Sequence, residues 1–410
     1  MGTEMTEHVT HQLPSHRRIV PLCLIAVGAV VAAYGLYSDP DRTWPSLLLN
    51  GFYVTTLALS AIFFLATQRL TGARWSASLR RIPEAFALAL PVLALLMLVL
   101  YFGRQHLFPW ARPGIFAHAP AIAGKVRYLQ TPWVFARMAF ALAAWISFAF
   151  LFRRASLQQD RHPELGLKLH QRLTNYSALF ILVFAFTFTT GAFDWLVSLE
   201  PEWFSTMFAV YAFAGTFVQG IAAVTLAIVI LKERGPLRHL VSEHQLHDLG
   251  KMLFAFSVFW AYIWTCQYLL IWYGNIPEEV TFFAKRTNGP WLYLFALNLI
   301  LNWIVPFTVL MSKSSKCKPH VLKIVCGVLL LGHWLDLYVL IMPSLWSTPR
   351  IGLIEIPIAA GYFALLYLLF TYNLAKAPLT PLNDPVLAYE RVHHVHSGGH
   401  IQPELFGAKQ

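Results

Sequence analysis

The stretch Glu84–Arg104 reads EAFALALPVLALLMLVLYFGR and carries no charged side chain between its two ends. A helix rises about 1.5 Å per residue, so a stretch of this length covers the roughly 30 Å hydrocarbon core of a bilayer. Nine further runs share its length and apolar character. In chain order the ten are 18–37, 47–68, 84–104, 131–152, 171–195, 204–231, 248–273, 289–311, 321–342 and 351–373. The expected fold is an all-α integral membrane protein of about ten transmembrane helices. Residues 1–17 would form an N-terminal tail, 18–373 the membrane domain and 374–410 a C-terminal tail.

Composition points the same way. The chain is 57% hydrophobic and only 12% charged, half the charge of an average soluble protein, and its mean hydropathy is +0.55. A net charge of +11 would suit nucleic acid if the basic residues formed one patch. Here they sit in short loops between apolar runs, so membrane orientation explains them and nucleic acid is not expected. With the N-terminus inside, 22 of the 31 Lys and Arg fall on inner segments and 9 on outer ones. Cytoplasmic loops collect Lys and Arg, so both termini are expected in the cytoplasm. No cleavable signal peptide is read.

The chain carries an internal repeat. The third run ends Tyr101-Phe102-Gly103 and the seventh Trp272-Tyr273-Gly274. The fourth opens Pro132-Trp133 and reaches Trp145-Ile146. The eighth opens Pro290-Trp291 and reaches Trp303-Ile304 at the same spacing. After the fifth, Asp194 leads to Pro201 and Phe204-Ser205-Thr206; after the ninth, Asp336 leads to Pro343 and Trp346-Ser347-Thr348. The members of each pair run in the same direction, so these are parallel repeats. Runs 2–5 and 6–9 are expected to form two four-helix bundles, with runs 1 and 10 peripheral.

Ionisable groups inside membrane spans are functional candidates because lipid makes them expensive. Toward the outer side they are Arg137, Asp194, His333, Asp336 and Glu355. His333 and Asp336 lie three residues apart on one helix face, a His–carboxylate pairing suited to moving protons near neutral pH. These five are proton-path or quinol-proton candidates. Near the inner surface Glu84, Asp248 and Lys251 are proton-entry candidates, expected in the first turns of their helices. Asn298 and Asn302, one turn apart, would line a polar seam.

Several chemistries are not expected. Membrane haem b needs two buried histidines on facing helices, and only His333 is deep in a span. The four cysteines form neither CxxC nor CxxCH, so no iron–sulfur cluster, c-type haem or other metal centre is assigned to this chain. Phosphate-loop and dinucleotide fingerprints are missing. The His393-His394-Val395-His396 tract reads as a polar tail.

Two stretches stand out: GAFDWLVSLEPEWFST over 191–206, and HDLGKMLF over 247–254, the second continuing through Phe259-Trp260-Ala261-Tyr262 and Gln267 to Trp272-Tyr273-Gly274-Asn275-Ile276-Pro277-Glu278-Glu279. They resemble a large membrane protein of bacterial alternative complex III, of the NrfD/PsrC-like kind, a haem-free member of that assembly credited with scaffold and proton path. The resemblance implies a respiratory assembly in the bacterial cytoplasmic membrane. That assembly oxidises menaquinol or ubiquinol and passes electrons to cytochrome c or a terminal oxidase. It implies partners too: a multihaem cytochrome c, an iron–sulfur protein, a second, related NrfD-like membrane protein and small membrane proteins. Haem c and the clusters would sit on those partners, leaving this chain a scaffold and proton path without a redox centre. Asp194, Asp248 and Lys251 fall inside the matching stretches; His333, Asp336 and Glu355 rest on burial alone. The alternative is a secondary transporter, whose folds also combine parallel repeats with ionisable groups at mid-membrane.

Overall fold

The computed structural model describes residues 18–114, 124–238 and 240–387. Ten helices are long and apolar enough to cross a membrane, and among the described residues no strand forms. They are α1 (Ile19–Ser38), α2 (Pro40–Leu70), α3 (Arg81–Tyr101), α4 (Thr131–Arg161), α5 (Gly166–Trp195), α6 (Phe208–Glu233), α7 (Glu243–Gly274), α8 (Trp291–Leu310), α9 (Pro319–Ile341) and α10 (Glu355–Leu374). A shorter helix, Pro277–Thr287, joins α7 to α8. The N-terminal tail and the His393–His396 tract lie outside the described residues.

Several helices outrun their apolar windows. Hydropathy marks the stretch that suits lipid, while capping decides where the backbone stops. α4 continues through Arg153 and Arg154 to Arg161, and α2 begins at Pro40 rather than residue 47. α7 begins five residues ahead of its apolar run because Ser242 and Gln245 form a reciprocal capping box, satisfying two orphan backbone donors. Asp248 and Lys251 therefore sit beyond the first turn, a correction to the expectation. α7 stops where Asn275 turns left-handed at φ 47°. α6 starts at Phe208, because Phe204-Ser205 are irregular and Thr206-Met207 make a turn rather than helix.

Two spans are interrupted. α3 breaks at Leu88-Ala89, just before Pro91. α8 widens into a π-turn over Ile300–Ile304, ahead of Pro306. A proline has no N–H to close the bond to the carbonyl four residues earlier. At Pro306 that carbonyl belongs to Asn302, and the Ser257 hydroxyl of α7 donates to it instead. The freed group is thus satisfied inside the protein, as lipid requires.

In packing, α2, α3, α4 and α5 each touch the next and α5 returns to α2; α6, α7, α8 and α9 do the same, with α9 returning to α6. α2 and α6 join the two sets and are the most buried spans. α1 is largely exposed and rests on α10. Gly28 and Gly361 allow that contact, since a Cβ on Gly28 would lie 2.8 Å from the Pro357 carbonyl oxygen. Such close backbone approach at small residues drives helix association where lipid removes the hydrophobic term.

One end of the helices carries the loops rich in Lys and Arg, here called the basic face. Residues 375–387, read as the start of a tail, fold back onto it. Leu379 and Leu387 are buried, and Asp384 pairs with Arg80. The Leu382 N–H and the Asn383 amide reach Asp160 and its carbonyl at 2.9 and 2.7 Å.

Candidate functional site

Asp336 lies inside the α6–α9 set, 2% exposed. Each of the three other helices sends it a donor. The Tyr211 hydroxyl of α6 donates to Oδ1. The Asn298 amide of α8 donates to the same oxygen at 2.7 Å. The Trp260 indole N–H of α7 reaches Oδ2 at 3.2 Å. Asn302 extends the set, its amide donating to the Asn298 side-chain oxygen at 2.6 Å. The polar seam expected from Asn298 and Asn302 is thus a hydrogen-bonded chain ending on a carboxylate. Inside a low-dielectric interior such hydrogen bonds are electrostatically stronger than in water.

His333 sits one turn away with Nδ1 3.5 Å from Asp336 Oδ2, and neither ring nitrogen makes a hydrogen bond. Its ring lies 6.0 Å from that of Tyr53 on α2. Space for it comes from Gly215 of α6. A Cβ there would fall 2.4 Å from His333 Cε1 and 2.7 Å from Nδ1. Thr216, Gln219 and Thr225 of α6 and Thr55 of α2 each hold a buried side-chain oxygen without a partner. These four polar side chains belong to α2 and α6, which pack against each other.

Asp194, which like Asp336 stands seven residues before a proline, lives differently. Arg137 of α4 grips it with two bonds, at 2.7 and 3.0 Å, and lies over the Tyr128 ring. Burial and the Asp194 carboxylate push the Tyr128 phenol up to about 12. Beside the pair a cavity of about 220 Å³ opens between α4 and α5, walled by Phe140, Phe186 and Thr190. Arg137 and Asn298 come from the two helices that open Pro-Trp, four and seven residues after the Trp. A shift of one turn exchanges a cation for a neutral amide.

The remaining candidates are spread apart. Glu355 is held by Arg42 at 2.6 and 2.8 Å and by the Gly352 N–H at 2.8 Å, which fastens α10 to the start of α2. Glu84 is buried, with Arg81 and Arg153 each 2.9 Å from its Oε2. Arg81 also pairs with Asp160. Asp248 and Lys251 pair with each other at 2.6 Å on the surface of α7. The three inner candidates therefore do not form one entry.

Sequence reading missed four residues at these sites. Neither Tyr211 nor Trp260 stands out in the sequence as a partner of Asp336, because neutral aromatics are abundant in every span. Arg42 counted only as a loop charge. Arg286, on the short helix Pro277–Thr287, is 1% exposed and stacks on Phe282. It donates to the carbonyls of Val339 and Leu340 at 3.0 and 2.6 Å, capping α9, and to Glu200 at 3.2 Å. Burial pushes its guanidinium down to about 10. Glu200 also accepts from Lys285 at 2.9 Å and Ser344 at 2.6 Å. Burial alone would raise Glu200; Arg286, Ser344 and Lys285 outweigh it and hold the carboxyl below its ordinary range. A void of about 20 Å³ separates Tyr211 and Asn298 from Arg286, room for one water. Beyond Glu200 a groove of about 560 Å³ opens, lined also by Glu202 and Glu278.

No three His, Cys, Asp or Glu side chains gather as a metal site among the described residues. A scan against protein-family models finds no match for this chain, and a search of curated proteins finds none either.

Proposed function

We propose that this chain is a haem-free membrane component of a quinol-oxidising respiratory complex of the alternative complex III kind, and that His333 and Asp336 relay protons within it. The observation that carries the relay is Asp336 at the meeting point of four helices, with three donors on its oxygens and an unbonded histidine beside it. A carboxylate so placed costs free energy that a purely structural contact would not need. Protons would enter from the basic face along the unpartnered oxygens of the α2–α6 junction. They would leave past Tyr211 and the small void to Glu200 and its groove. The reading orients the chain with the basic face and both termini in the cytoplasm of a bacterial cell.

The two closed sets of helices, joined at α2 and α6 with α1 and α10 outside, support a duplicated pair of four-helix bundles. Resemblance over 191–206 and 247–279 supports the placement in the complex. Quinone, haem c and iron–sulfur chemistry would belong to the assembly, with a multihaem cytochrome, an iron–sulfur protein and a related membrane protein as partners. A transporter reading draws less support, because the breaks in α3 and α8 are not repeat mates.

The test has two arms. Tagged chain isolated from native membranes should bring a multihaem cytochrome and an iron–sulfur protein with it; a monodisperse lone protein would favour a transporter. In the assembled complex, Asp336→Asn should lower proton release per quinol oxidised while leaving assembly intact. Unchanged proton release would remove the relay.

A further inference from the structure

A second feature stands apart from the polar network. An open groove of about 190 Å³ runs between α6 and α10. It starts near mid-span beside Ala223 and Phe363, passes Ala227 and Phe370, and ends at Leu374 and Arg234 on the basic face. From Ala223 to Arg234 is eleven residues of α6 and its cap, about 16 Å along a helix. One leaflet of hydrocarbon is about 15 Å deep, half of a roughly 30 Å core. The groove therefore matches a single leaflet in depth, from the membrane middle to the basic face.

Its polarity is one-sided. The walls are almost wholly aliphatic and aromatic, and the Thr371 hydroxyl is spent on its own helix, donating to the Tyr367 and Leu368 carbonyls at 2.8 and 3.0 Å. At the mouth, Arg234 is exposed; its backbone N–H donates to the Ile230 carbonyl, while its guanidinium makes no hydrogen bond or ion pair with any described residue. Neighbouring charges do not neutralise it. Glu233 pairs with Lys323 at 2.6 Å, and Lys232 donates to the Val241 carbonyl at 2.6 Å. A leaflet-deep apolar slot with a free cation at the water-facing end has the shape and charge of one ligand class.

We infer that this groove binds an anionic phospholipid, with one acyl chain lying between α6 and α10 and the phosphate against Arg234. An isoprenoid quinone fits less well, because its head group needs hydrogen-bonding partners within the apolar part of the slot. The inference stands independently of the respiratory reading.

The test uses the full chain in its native assembly, or alone if it purifies alone, in a mild detergent. It is offered phosphatidylglycerol or phosphatidylcholine with identical acyl chains, and bound lipid is counted by native mass spectrometry. One Arg near an anionic head group is worth about 1 kcal/mol, a preference of about fivefold for phosphatidylglycerol. Arg234→Gln, a surface change, should bring the two lipids to parity while the chain slot still fills. Ala227→Trp should remove retention of both. Equal retention of the two lipids by the unaltered chain would overturn the inference. So would an unchanged preference in Arg234→Gln, or an isoprenoid quinone recovered in the phospholipid's place.

Discussion

Replacing Gly215 with alanine tests whether His333 is held where the relay needs it. The added Cβ would lie 2.4 Å from His333 Cε1 and 3.4 Å from Asp336 Oδ2, whereas carbon atoms rest near 3.5–4.0 Å. The imidazole is almost fully buried, confined by Tyr53 and Asp336, so it cannot swing into solvent. Overpacking of this kind costs about 1–3 kcal/mol. Helix propensity opposes it, since alanine is favoured over glycine by about 1 kcal/mol. Gly327 of α9 separates the two terms: a Cβ there meets nothing within 4 Å, so Gly327→Ala carries propensity without the clash. Unfolding of the purified chain by SDS in mixed micelles, followed by far-UV circular dichroism, compares the variants. Gly215→Ala should be less stable than Gly327→Ala by about 1–3 kcal/mol, and the difference should vanish in a His333→Ala background. If the two glycine variants unfold together with His333 present, the close packing of Gly215 on His333 is wrong.

Three other outcomes are expected. Tyr211→Phe keeps the ring and removes the hydroxyl that donates to Asp336; the loss should be about 1.5–3 kcal/mol in the same assay, and an unaffected chain would place Tyr211 outside the network. Arg137→Met strands a buried Asp194 carboxylate and should cost about 1–3 kcal/mol, discounted because Arg137 is 28% exposed. The double change Arg137→Met with Asp194→Leu should recover most of that loss; no recovery would mean the pair is more than an isolated charge couple. Glu200 has its carboxyl depressed by Arg286, Ser344 and Lys285 against the pull of burial, so its contribution is present above the unfolded value of about 4.3 and lost as pH falls through the lower folded value. The protection of Pro277–Thr287 amides against hydrogen exchange, relative to their intrinsic rates, should fall below about pH 4, and no such fall should occur in Glu200→Gln, whose protection is already low at neutral pH.

The number and approximate place of the spanning helices were written in the sequence because lipid reads only length and polarity, and both are local. Burial of Asp336 and His333 followed from the same rule. Their partners did not. Tyr211, Trp260 and Asn298 come from three separate helices, and no local pattern states which faces turn toward one another. Pairing changed the meaning of other candidates as well. Glu355 became an anchor through Arg42, and Asp248 and Lys251 became a surface couple once a capping box moved the start of α7. Asp194 and Asp336 illustrate the division. In the sequence each stands seven residues before a proline, Pro201 and Pro343. Only tertiary packing decided that Arg137 would clamp the first while neutral donors surround the second, because one helical turn on the neighbouring helix selects which side chain faces inward.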